Sequence, residues 1–200
     1  MSEHAKEEST KSSRRPYLRF AAMIVTGMAV MYWTMFAGTW ELSHIRFSES
    51  RVFMTLTMGG TMVLVMLAWM WGMYKSVRAN IAVIVAGLLL IGSGIALDRS
   101  QATVDDTAFM NGMIPHHSLA ITRSERAHLT DVRVCELAAS ISATQREEIL
   151  TMSWLVDDIA QNGPATTTDE AQRRPAPDFA RSADRRCAGM PTDTATTQMR

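Results

Sequence analysis

Charge is the first thing this 200-residue chain withholds. No Asp, Glu, Lys, Arg or His occurs from Phe20 to Trp40, from Val52 to Tyr74 or from Ile81 to Leu97. Uncharged apolar runs of about 18 residues mark helices able to cross a bilayer, so three spans are predicted. The chain also lacks a charge of one sign in excess, since 20 Lys and Arg balance 20 Asp and Glu. The basic residues of the amino-terminal arm alternate with Glu3, Glu7 and Glu8, which argues for topology and against nucleic acid. No Gly-rich phosphate loop and no Cys-x-x-Cys is present, and nothing around Ser118 suggests an oxyanion hole. The predicted spans carry neither ionisable groups nor an internal repeat, which favours an anchor over a pump. Only two cysteines occur, Cys135 and Cys187. At that separation they declare no bridge, and inert or crosslinking thiols are the expectation.

What is present is strongly segregated. The first apolar run is too long for the core of a cleavable signal and no small-residue cleavage site follows it, so a retained span is expected. Lys6, Lys11, Arg14, Arg15 and Arg19 precede it, and Lys75 and Arg78 sit between the second and third runs. Basic residues mark the cytoplasmic side, which places the amino terminus inside and everything after Leu97 outside, in a periplasm or its equivalent. The expected organisation is a polar arm over 1–19, a membrane domain over 20–97 with helices at about 20–40, 52–74 and 81–97, an extracytoplasmic hairpin over 103–162, and a tail over 163–200.

The outer segment reads as two helices. Thr103 with Asp106 resembles a capping box, Asp131 is a good N-cap for the second helix, and Gly163–Pro164 stops it. The second helix carries an apolar stripe through Val134, Leu137, Ala138, Ile141, Ile149, Met152, Leu155, Val156 and Ile159. Residues 164–200 are rich in Ala, Thr, Pro, Arg and Asp with few large apolar side chains, which predicts disorder. A hairpin of about 60 residues buries too little alone. It is expected to pair as a homodimeric four-helix bundle, or else to fold back on the membrane-proximal loops.

One cluster carries chemistry: "MNGMIPHHSLAIT" over 110–122. At about 100° per residue, Asp106, Met110, Met113 and His117 lie within roughly 60° of one another, with His116 about 100° aside. On the second helix Gln145, Glu148 and Met152 form a comparable stripe that can face the first. Imidazole with thioether suits copper, above all Cu(I), better than Mg²⁺ or Ca²⁺. Pro115 leaves the Asn111 carbonyl without its helical donor and should kink the rod before the histidines. Methionines at helical spacing also serve as plain core filler, and that alternative stays open. "ERAH", Glu125 to His128, matches one copy of the Glu-x-x-His found twice in di-iron bundles, which is too little for that site. In the second run Met54, Met58, Met62, Met66 and Met70 recur every four residues, either as supple packing beside Gly59–Gly60 or as a thioether ladder for Cu(I).

"DDTAFMNGMIPHHSLAI" followed by "LAASISATQREEILTMSWL" resembles the bacterial family catalogued as domain of unknown function 305, DUF305, over about Thr103 to Asp158. The shared features are Asp-x-x-Phe/Tyr, Met-Ile-x-His-His and Gln-x-x-Glu-Ile-x-x-Met. The preceding membrane part is similar to a subgroup with three spans. The resemblance implies a ferritin-like helical hairpin and, as in some extracytoplasmic members, a copper ion held by Met113, His116, His117 and Met152 with Asp106 in support. The chain reads "HHSLA" where "HHQGA" is common, and it has one histidine pair where soluble relatives often have two. A complete site would then draw on two protomers.

The expected class is all-α: three transmembrane helices, an extracytoplasmic hairpin forming half of a ferritin-like four-helix bundle, and a disordered tail. The expected function is a membrane-anchored copper-binding protein, not an enzyme, that sequesters or hands on the ion from His116, His117, Met113, Met110, Met152, Asp106 and Glu148. The alternative is a structural or interaction protein whose hairpin only dimerises.

Overall fold

The computed structural model describes residues 2–187, with side chains from residue 15 onward. Among the described residues there is no strand. Six helices follow one another: α1 (Ser2–Thr34), α2 (Glu49–Trp69), α3 (Val77–Ser100), α4 (Asp106–Arg126), α5 (Val132–Asn162) and the short α6 (Thr168–Arg173). The chain is all-α. The described residues form two compact units, one joining 2–35 with Glu49–Thr103, the other joining Phe36–Ser48 with 104–187.

In the first unit only α2 and α3 are long and apolar enough to cross a membrane, two helices and not the expected three. The first apolar run is divided. Helix α1 starts at Ser2, takes in the polar arm, and stops at Thr34, so only Phe20 to Thr34 is apolar helix. The rest of that run, from Phe36 to Trp40, belongs to the second unit. Composition could not reveal the break, because a loop residue that packs is as apolar as a span residue.

Glycines bring α2 and α3 together. A Cβ on Gly60 would lie 2.6 Å from the Gly87 carbonyl oxygen and 2.9 Å from the Ile91 nitrogen, so only hydrogen fits there. Phe20, Ile24, Val63, Leu67 and Tyr74 form the buried core of this unit. Met62, Met66 and Met70 pack against that core, whereas Met54 and Met58 are exposed. A ridge stepping by four residues turns about 40° at each step, so these five thioethers wind from the surface of the helix to its packed side.

In the second unit α4 and α5 lie against each other, with Glu125 beside Ser142 and His117 beside Glu148. Ile114, Ile121 and Ile149 form the core, covered by Trp40 and Met152. Helix α4 is capped by Asp105, whose carboxylate accepts from Ala108 N at 2.7 Å, two residues later than the expected Thr103. It continues through Pro115, which is fully buried. Asp131 caps α5 and Gly163, at φ +76°, ends it. The buried face of early α5 is Cys135, Ala138, Ala139 and Ser142, while Val134, Leu137 and Ile141 are exposed. The expected stripe is therefore rotated there. Small side chains face the neighbouring helix and the large apolar ones point away.

Two expectations about the end of the chain are overturned. Cys135 and Cys187 form a disulfide across 52 residues of sequence. The tail is ordered through Cys187: α6 carries a complete capping box between Thr167 and Glu170, and Arg174 bonds Asp158 at 2.6 Å and the Gly163 carbonyl at 3.2 Å. Composition predicted disorder because little apolar area is available, but arginine pairs and one covalent bond hold the segment instead. Residues 188–200 of the expected tail lie outside the described residues.

Candidate functional site

The adjacent histidines diverge. Successive residues on a helix point about 100° apart, and here His116 is exposed while His117 is buried, with ring centroids 5.9 Å apart. His117 Nδ1 lies 2.9 Å from the Met113 carbonyl oxygen, one helical turn back, and Nε2 lies 2.9 Å from Glu148 Oε2 on α5. A carbonyl only accepts, so Nδ1 carries a proton and donates it. Nε2 then faces a carboxylate with a lone pair unless it too holds a proton or shares Glu148 with a cation. The backbone bond fixes both tautomer and ring orientation, the arrangement that aims a histidine at a metal.

His117 and Glu148 open into a cleft of about 390 Å³ whose wall includes Phe109, Met113, Thr144, Glu147, Thr151, Met152 and Arg181. One imidazole, two carboxylates and two thioethers thus line it, with Glu147 paired to Arg181. Gln145 donates to Glu148 Oε2 at 3.0 Å and steadies it. Of the other expected residues, Met110 is buried and does not line the cleft, and Asp106 and His116 are exposed. Among the described residues no group of three or more His, Cys, Asp or Glu could hold a metal ion.

The single Glu-x-x-His does not form a site. Helix α4 ends at Arg126, leaving His128 exposed beyond it. Glu125 turns inward, accepts from Ser142 Oγ and from Asp184 N, and lies 3.7 Å from Arg146.

Sequence reasoning missed a second polar cluster. Ser118, fully buried, accepts from Trp40 N at 2.7 Å, and its oxygen lies 2.8 Å from His44 Nδ1. A neutral His44 whose Nδ1 is bare accepts the Ser118 hydroxyl proton, and one whose Nδ1 carries hydrogen donates to the same oxygen. Burial first, then Arg46 and Arg146, lowers the His44 pKa against the opposing Glu41 carboxylate. The guanidinium groups of Arg126 and Arg146 stand over the Trp40 ring, 5.5 and 5.1 Å from its centroid. A serine without solvent access is a fastener and not a nucleophile. It ties the segment after α1 to α4, the fold-back that stood as the alternative to dimerisation. Glu147 and Arg181 were also missed. Nothing in the sequence sets Glu147 apart from Glu148, and Arg181 stands in an arginine-rich tail.

The fold and cleft define an all-α protein with two membrane-length helices and a soft-donor pocket between two further helices. Its family follows from comparison. Residues 106–200 match the family described as Domain of unknown function (DUF305), and the chain belongs to it. It is similar to the uncharacterised protein L153 of Acanthamoeba polyphaga mimivirus, 31% identical over 120 residues, which are 59% of this chain and 77% of the viral one. No solved structure matches.

Proposed function

We propose that this is a membrane-anchored protein whose second unit faces out of the cytoplasm and binds copper, to sequester it or pass it on. The carrying observation is the fixed His117 ring, Nδ1–H on the Met113 carbonyl and Nε2 toward Glu148, in a cleft that Met113 and Met152 also line. Thioether and imidazole favour Cu(I), and the carboxylate helps to hold Cu(II). The ion would sit at His117, Met113 and Met152 with Glu148 as a ligand or as a partner orienting the ring. His116, Met110 and Asp106 have no part in this set.

Two observations support the anchor. The apolar windows of α2 and α3 are only 33% and 17% buried, which leaves their surfaces for lipid. The disulfide suits an oxidising compartment outside the cytoplasm. A third span from α1, the ferritin-like half-bundle and the homodimer belong to the same proposal. Exposed Val134, Leu137 and Ile141 supply an apolar strip on which a second copy can pack. That strip equally favours the alternative, a dimerisation module without metal.

Anaerobic Cu(I) titration of the full chain in detergent separates the two, read against a chromophoric chelator. The proposal expects submicromolar binding that disappears in His117→Ala. Binding unchanged by His117→Ala leaves only the dimerisation reading.

A further inference from the structure

Pro175 to Cys187 runs as a strap without regular structure across the second unit. Arg181 pairs with Glu147 on the wall of the cleft. Ala180 and Ser182 line a smaller hollow beside Trp40 and His44. Arg146 bonds Asp184 at 2.6 Å, and Arg185 donates to the carbonyls of Ser124 and Glu125 in the last turn of α4 and of Ala127 just beyond it. Of the strap's side chains only Cys187 is buried.

That distribution decides what holds the strap. Exposed ion pairs contribute little, and ordering an extended chain opposes them at every residue. With Phe179 only half-buried and no other large apolar side chain on the strap, the Cys135–Cys187 bond is what keeps these polar contacts made. We propose that this disulfide is a latch: it holds Arg181 on Glu147 at the edge of the His117 cleft, and its opening by a dithiol frees the strap and gives the Glu147 carboxylate to a cation in the cleft. The gate rests on the copper reading of that cleft. The latch does not.

The exchange is balanced. A thiolate of the dithiol attacks one protein sulfur and the Cys135–Cys187 bond breaks. The second thiol then closes a new disulfide in the reductant, and two electrons and two protons pass to the protein as two thiols. Latched, a guanidinium stands at the cleft and neutralises one of its two carboxylates, which opposes a positive ion. Released, Glu147 stands un-neutralised on the cleft wall beside Glu148, and the added negative charge favours a cation there.

The test uses the full chain in detergent. Tryptic cleavage after Arg185 is followed in the oxidised protein, in protein reduced and alkylated, and in Cys135→Ser/Cys187→Ser, with cleavage after Arg133 as the control. Cleavage at Arg185 is expected to rise about tenfold or more in both unlatched forms, following the population of the open strap. An equal rate in all three overturns the latch. Cu(I) competition is then measured on wild type, Arg181→Ala, the double serine variant and the triple variant. Arg181→Ala with its disulfide intact should bind about three- to tenfold tighter, the double serine variant likewise, and the triple variant no tighter still. Equal affinity of Arg181→Ala and wild type overturns the gate. Absence of copper binding in every variant overturns the cation reading of the cleft and the gate with it, while the cleavage rates still decide the latch.

Discussion

His117 and Glu148 meet at 2.9 Å between α4 and α5, and the ring's other nitrogen is committed to the Met113 carbonyl. The neighbouring His116 shares none of this: it is exposed, on a different side of the same helix. The adjacent pair is therefore one oriented, buried imidazole and one surface residue.

That asymmetry predicts unequal effects on copper. His117→Ala should weaken Cu(I) binding at least about tenfold, and Glu148→Gln by a comparable or smaller factor, the scale on which metal sites answer to lost partners. His116→Ala should leave affinity within about threefold of wild type, the scatter expected of an exposed neighbour. Chelator competition checks all three, and a larger loss from His116→Ala than from His117→Ala would sink the assignment.

The disulfide closes 52 residues of chain. Loss of such a link typically costs about 2–5 kcal/mol, by releasing chain entropy in the unfolded state. Cys135→Ser/Cys187→Ser should lower the thermal midpoint of the second unit, as followed by near-ultraviolet circular dichroism. The wild type under reducing conditions should fall by the same amount.

Close packing of α2 on α3 makes a paired prediction. Gly60→Ala puts a methyl 2.6 Å from the Gly87 carbonyl oxygen, and overpacking of this kind costs about 1–3 kcal/mol. Gly92 has nothing within 4 Å of its would-be Cβ, so Gly92→Ala should be neutral or stabilising by up to about 1 kcal/mol of helix propensity. Thermal unfolding in detergent compares the two variants with wild type.

His44 ties pH to the second unit. Burial, with Arg46 and Arg146 assisting, holds its folded-state pKa below the ordinary 6.5. Protons therefore favour the unfolded chain: stability is full above pH 6.5 and is lost as pH falls through the lowered folded value. His44→Asn, which keeps an acceptor for the Ser118 hydroxyl without a titrating ring, should flatten that acid-side slope. An unchanged slope would show that another group is responsible.

Much of the fold was legible where the signal is local. The spacing from Asp131 to Gly163 marked α5 and both of its ends, because an N-cap and a positive-φ glycine stop involve only neighbouring residues. Met113, His117, Glu148 and Met152 were placed on facing stripes by the 100° rule, and all four line one cleft. The rule set His117 on the stripe with Met113 and His116 about 100° aside. It could not say which side of α4 turns inward, since that depends on how α4 rotates against α5. Nor could it find the end of α1 at Thr34, because apolar loop residues that pack on α4 look like more span. The tail was misjudged for a related reason. Composition counts apolar area and is blind to an arginine that meets open carbonyls or a cysteine that meets its partner.

Residue order alone determined the helical periodicities, the uncharged stretches and the kinds of donor available, since each depends on the backbone repeat and on side-chain chemistry. Tertiary structure decided which donors meet. The bonding of Cys187 to Cys135, the pairing of Arg181 with Glu147 and the choice of His117 over His116 arise from contacts between segments far apart in the chain. Such contacts depend on the rotation and approach of whole helices, which no local pattern encodes.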